Sequence, residues 1–162
     1  LGPLLVGLGI AAAAVPATAQ QPAPAAPTGQ PGVPDTIMLH KLVWSAMAAV
    51  DQANQTGNYS VLRDLGAPSF QAGNSAATLA QIFTSIRNQN IDLSYTLVVT
   101  PVFQFPPVIQ NGLLRIRGVF PLRPTPIGFD LLYQNVGGQW RIFGIAVVPL
   151  VAQTQQPAPT RR

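Results

Sequence analysis

The side chains able to move a proton or attack a substrate are few. They are one histidine, His40, five aspartates, Asp35, Asp51, Asp64, Asp92 and Asp130, and three tyrosines, Tyr59, Tyr95 and Tyr133. Glutamate and cysteine are absent. Without thiols there is no disulfide framework, thiolate metal site or thiol nucleophile. Zinc would be left with His40 and aspartates, a poor ligand set, so neither a metal nor a cofactor is expected. His40 and Asp51 fall on one helix, about 16 Å apart at 1.5 Å per residue, too far for a direct acid–base couple. No serine or threonine stands in a Gly-x-Ser-x-Gly setting, and no glycine-rich loop could cradle phosphate. The chemistry is thin.

Charge is equally sparse. Charged residues make up 9% of the 162, against roughly 25% in ordinary soluble domains. The net charge of +4 comes from Lys41 and eight arginines, two of them at the extreme C-terminus and only Arg115, Arg117 and Arg123 close together. A nucleic-acid surface needs a dense basic stripe with aromatic or phosphate-contacting neighbours, so no nucleic-acid partner is expected.

The ends differ from the middle. Leu1–Ala19 is an apolar run closing on Ala17-Thr18-Ala19, the pattern of a secretory signal cleaved before Gln20. Periplasmic or secreted localisation follows as an expectation, with no membrane attachment after cleavage. Residues 20–34 carry five prolines and read as a disordered Pro/Ala/Gln-rich linker, and 151–162 as a similar tail. Residues 35–150, roughly 115 positions, are enough for one domain with its own core.

Within that domain, Asp35 or Thr36 can cap a helix whose apolar residues Leu39, Leu42, Val43, Ala46, Met47, Val50 and Ala53 recur at helical spacing, with Gly57 as the stop. A short second helix follows from Asn58 or Ser60 to Leu65, and a third from Ser75 to about Asn90. Residues 67–74 between them read as a loop anchored by Phe70. Strands are expected over Tyr95–Phe105, with Pro101 at an edge position or bulge, then Leu113–Leu122, Gly128–Val136 and Gln139–Val148. The last two flank Gly137-Gly138, a hairpin turn signal.

Placing Val136 opposite Gln139 assigns faces, because side chains alternate along a strand. Phe129, Leu131 and Tyr133 join Trp140, Ile142, Gly144 and Ala146, with Leu114, Ile116, Gly118 and Phe120 beside them, on a face that should carry the helices. Asp130, Leu132, Arg141, Phe143 and Ile145, with Arg115 and Arg117, fall on the other. Asp130 lies beside Arg115 and Arg117, so an ion pair is its expected role. That second face is too apolar for plain solvent and has the composition of a protein interface, most simply between two copies of this chain.

Three helices followed by a four-stranded antiparallel meander resemble the nuclear transport factor 2-like superfamily. The likeness is strongest in Gly137-Gly138-Gln139-Trp140-Arg141-Ile142-Phe143-Gly144, which is similar to the Gly-x-Trp-Arg-Ile-x-Gly pattern closing such domains. Asp51 through Tyr59 also resembles their acid and Gly-x-Tyr. One departure is that 67–74 stands where members often have a hairpin. The resemblance implies an α+β cone, a pocket between helices and curved sheet, and dimerisation through the open sheet face. Trp44, Met47, Tyr133 and Trp140 would then line the pocket. Fold does not decide function. The expectation is a non-catalytic, exported, homodimerising binding module with a small apolar ligand or a cell-envelope protein as further partner. The alternative is a small isomerase- or dehydratase-like enzyme using the cone.

Overall fold

A computed structural model describes residues 32–150. The signal segment expected at 1–19, most of the 20–34 linker and the 151–162 tail lie outside the described residues. The chain is α+β, with helices first and an antiparallel sheet after. The helices are α1 (Thr36–Thr56), α2 (Ser60–Asp64), α3 (Pro68–Gly73), α4 (Ala76–Ile82) and α5 (Thr84–Asn88), followed by a 3-10 turn at Ser94–Leu97. The strands are β1 (Val102–Phe103), β2 (Val108–Gln110), β3 (Leu113–Phe120), β4 (Ile127–Val136) and β5 (Gln139–Pro149).

Caps and stops set α1. The Asp35 carboxylate accepts from the Met38 amide at 2.8 Å, satisfying a donor that the helix itself leaves open. Gly57 closes the far end at φ +73°, a left-handed conformation that glycine adopts without a Cβ penalty. Its apolar stripe buries Leu39, Leu42, Val43, Ala46, Met47, Val50 and Ala53. Phe83, Ile86, Leu114, Ile116, Phe120, Phe129, Leu131 and Ile142 complete one core with it.

The helix and strand counts correct the sequence reading. The third expected helix is two, α4 and α5, broken at Phe83, whose backbone sits at φ −90°, ψ 8°. The loop at 67–74 contains α3, whose first residue is Pro68, a position that needs no amide donor. The sheet has five strands, not four, in the order β1-β3-β4-β5, with β2 on the same edge of β3 as β1. Instead of one long strand over 95–105, residues 94–97 form the 3-10 turn and only Val102–Phe103 pairs. Prolines 101, 106 and 107 supply no ladder donors, so this edge is short and broken.

A bulge in the hairpin makes the largest correction. From Val136↔Gln139 to Tyr133↔Ile142 the pairing is as expected, but the next pair is Leu132↔Gly144, leaving Phe143 extra. One inserted residue reverses side-chain parity beyond it. Ile145 was expected at the interface, yet it packs against the helix-side core, and Val147 is buried there too. Gly144 and Ala146 pass to the open face instead, opposite Leu132 and Asp130. Beside the bulge, Leu65–Ala67 lies along the outer edge of β5: the Ala67 amide donates to the Ile142 carbonyl at 2.7 Å, and the Ile142 amide to the Leu65 carbonyl at 3.2 Å. An exposed strand edge is thereby capped by the chain's own backbone.

Candidate binding surfaces

The cone is filled. Met47 is wholly buried and Tyr133 nearly so. The Tyr133 hydroxyl donates to the Leu42 carbonyl at 2.7 Å, tying β4 to α1. What remains between helices and sheet there is a void of about 40 Å³ touched by Leu42, Tyr133, Trp140 and Ile142. That is near the volume of one water and far below the several hundred Å³ of a ligand site. Trp44 lies apart from it. Its indole nitrogen donates to the Thr96 carbonyl at 3.1 Å, and its outer side borders a shallow surface depression with Ile37, Lys41 and Leu97. Tyr133 and Trp140 thus share only this small void, and Trp44 and Met47 do not line it.

Burial pushes the Tyr133 phenol well above its ordinary value, because a phenolate would be desolvated. A raised folded value contributes stability that is complete below the unfolded value of about 10 and is lost as pH rises above it. Tyr133→Phe is expected to cost about 1–2 kcal/mol at neutral pH through the lost hydrogen bond. It should also flatten the alkaline loss; urea melts from neutral to alkaline pH on both proteins measure this.

The open face of the sheet collects most of the expected interface residues. Arg115 and Asp130 form a two-point ion pair, Nε to Oδ1 at 2.9 Å and Nη2 to Oδ2 at 2.5 Å. Arg117 sits over the Phe105 ring, 4.0 Å from its centroid. Arg141 reaches across the β5 edge and donates to the Asp64 carbonyl at 3.2 Å. Leu132 lies over Gly144, while Phe143, Val102, Val108 and Val148 are exposed. Leu150 folds back over Gly128, its amide held by the Pro126 carbonyl at 2.8 Å.

A second surface was not anticipated. Late in α1, Asp51 is only 3% exposed and lines an open cavity of about 490 Å³ with Asn54, Gln55, Arg87, Asn90, Asp92 and Ser94. Gln55 donates to Asp51 Oδ2 at 2.8 Å. Oδ1 accepts nothing from the described residues, and the ion pairs found among them, Arg63–Asp64 and Arg115–Asp130, do not include Asp51. Oδ1 is not sealed from water; it opens onto the cavity. Arg87 is close but committed elsewhere: it donates to the Tyr59 hydroxyl, to the Ala80 carbonyl at 2.8 Å and to Thr84 Oγ1 at 3.1 Å. The Tyr59 hydroxyl in turn donates to Asn54 Oδ1, leaving the buried Asn54 Nδ2 with no acceptor. Hydrogen bonds from the Ser94 side chain and amide hold the Asp92 carboxyl below its usual range.

The sequence singles out Asp51 and Tyr59 but not Asn54 or Arg87. The available signal was the helical period: Asp51 stands one turn after Met47, on the buried side of α1. Arg87 follows Phe83 by one turn in the same way. Among the described residues no three His, Cys, Asp or Glu side chains are grouped to hold a metal, and no helix is long and apolar enough to cross a membrane. No protein-family model matches this chain, and no curated protein or solved structure matches it either.

Proposed function

We propose that this chain is an exported, non-catalytic interaction module that pairs with a second copy of itself through the open face of its sheet. The observation that carries the reading is a largely apolar sheet face whose guanidinium groups are each already engaged within one chain. Asp130 neutralises Arg115, the Phe105 ring covers Arg117, and the Asp64 carbonyl engages Arg141. The Arg115–Asp130 pair is neutral, while Arg117 and Arg141 keep their positive charge and must stay at the wet rim of a self-pairing face. Leu132, Phe143, Val148 and Val102 supply the apolar contacts. A two-fold pairing of this kind is self-complementary. Strands β3, β4 and β5, of 8, 10 and 11 residues, with the short β1 and β2 at the edge, cover on the order of 500 Å² in plan at about 4.8 Å between strands and about 3.3 Å per residue. A stable pair buries about 800 Å² of accessible surface per partner, so nearly the whole face must take part.

Export rests on the signal pattern of Leu1–Ala19 and gives a periplasmic or secreted setting, with cell-envelope proteins as the class of further partner. Light scattering on the chain from Gln20 onward, followed over a dilution series, tests the pairing. The expected mass is twice that of one chain. A single-chain mass up to about 100 µM, two orders weaker than a micromolar pair, overturns the reading. So does a protein that is monomeric with its tail and dimeric when ended at Leu150, since the tail would then be the natural cover.

A further inference from the structure

We infer that the two adjoining cavities beside α1 form a trough for a neutral saccharide, whose hydroxyls meet Asp51, Asn54 and Asn90 and whose flat C–H face stacks on Tyr95. The trough shares no lining residue with the open face of the sheet, so the assignment stands whether or not the chain pairs. Asp51 is 3% exposed, yet its Oδ1 opens onto the first cavity and receives no donor from the described residues. One turn further along α1, Asn54 lines the same cavity and shows the opposite lack: its Nδ2 is a buried donor without an acceptor. Residues three apart on a helix stand about 5–6 Å from each other at Cβ, so one edge of the ligand must both donate and accept within that reach. Neighbouring hydroxyls do this, because each is donor and acceptor at once. A small tilt of the Asn54 amide, with its Oδ1 still held by the Tyr59 hydroxyl, brings Nδ2 to the opening. A peptide fits less well, since a trans amide points its N–H and its C=O in opposite directions.

Charge selects a neutral body. Along the trough Asp51 and Asp92 are matched by Arg87 and Arg123, so neither a cation nor an anion gains a net field there. Arg87 moreover directs its donors to Tyr59, Ala80 and Thr84. The second cavity, of about 340 Å³, shares Asn90, Ile91 and Asp92 with the first and supplies the apolar half through Tyr95, Leu122 and Pro124. Each cavity is in the size range of a small-ligand site. Tyr95 is 60% exposed, which leaves its ring free to stack on an apolar surface. A pyranose ring with equatorial hydroxyls has that shape: its C–H bonds form flat faces and its hydroxyls form the rim. Lying on Tyr95, such a ring turns its rim toward Asn90 and Asp92, and the next ring of the same chain reaches Asp51. A purely apolar ligand would leave that polar wall unanswered.

The test is an NMR titration of isotope-labelled protein with cellotriose and with N-acetylated chitotriose, two neutral trisaccharides with equatorial hydroxyls. Phenethylammonium and 3-phenylpropionate serve as the cation and anion for comparison. Amide and side-chain signals of Asn54, Gln55, Asn90 and Tyr95 report the site. Saturable shifts there are expected with at least one trisaccharide and with neither ion. Tyr95→Ala should weaken binding by about two- to tenfold through lost stacking. Asp51→Asn should weaken it by about fivefold, the difference between a charge-assisted and a neutral hydrogen bond. No saturable shift from either sugar up to about 10 mM, ten times a millimolar Kd, overturns the assignment. So does an ion that binds as well as the sugars, or a set of shifts confined to residues outside the two cavities. Unchanged affinity in either folded variant overturns it too. If Asp51→Asn does not fold, Tyr95→Ala decides alone, because that side chain is largely exposed.

Discussion

Replacing Phe143 with glutamate is expected to yield a folded protein of single-chain mass where the wild type gives twice that mass. The substitution reads the interface and not the fold, because Phe143 is the extra residue of the β-bulge and has no cross-strand partner. It is also 36% exposed, whereas its neighbour Ile142 is buried. In a monomer the glutamate side chain would stay in water, so thermal stability measured in the dissociated state should change by less than about 0.5 kcal/mol. In a two-fold pair the substitution counts twice, once on each copy. A buried aromatic anchor lost from an interface costs about 2–4 kcal/mol, and a desolvated carboxylate with no cation adds to it. Together these remove a micromolar pair from the measurable range. Val148→Glu, at the other end of the same face and 49% exposed, should act in the same direction. A single-chain mass for the wild type and both variants would sink the pairing, and a Phe143→Glu protein that stays dimeric would move the interface off this face.

The elements were legible where one local rule governs. Asp35 and Gly57 announce both ends of α1, and Gly137-Gly138, both at positive φ, announce the hairpin. Where tertiary contacts govern, the pattern misleads. Alternation along β5 holds only while the ladder is unbroken, and nothing in Arg141-Ile142-Phe143-Gly144-Ile145 marks which residue is left over. The bulge lies where Leu65–Ala67 bonds to both backbone groups of Ile142, a contact between segments more than seventy positions apart. Residues 95–105 are rich in β-formers, yet Pro101 within them and Pro106-Pro107 just after leave only Val102 and Phe103 in the sheet. The cavity at Asp51 was hidden for a similar reason. Periodicity places Asp51 on the buried side of α1, but only the packing of α5 shows that Arg87 turns to Tyr59 and leaves the carboxylate to Gln55. Whether the space between helices and sheet stays open likewise depends on side-chain volumes across several elements, and Met47, Phe83, Phe129 and Leu131 fill it.

Gly118→Ala should be among the most destabilising single-methyl additions to this sheet. Gly118 lies in the middle of β3, opposite Phe103 on one side and Phe129 on the other. A Cβ there would collide with the Val102 carbonyl oxygen and meet Phe129 Cζ at 2.6 Å. The glycine has no positive φ to explain its presence; the reason is close approach. Neither neighbour can give easily. The Phe129 ring packs against Phe120 with centroids 5.3 Å apart, and the carbonyl belongs to the backbone of β1, which pairs with β3 at two positions only. Relief requires β1 to detach or Phe129 to leave its rotamer, and overpacking of this kind costs typically 1–3 kcal/mol, occasionally more. We expect about 3 kcal/mol, a fall in Tm on the order of 10 °C for a domain of this size. Gly73→Ala is the control: it ends α3 with nothing within 4 Å of its added Cβ, and alanine there removes unfolded-state entropy, so its Tm should hold or rise slightly. Hydrogen exchange separates the two modes of relief. Loss of protection confined to the amides that pair β1 with β3 marks detachment of the edge, whereas loss spreading to β4 marks displacement of Phe129. A Gly118→Ala protein melting within a degree of wild type would show that β1 does not press on β3 as closely as these distances require.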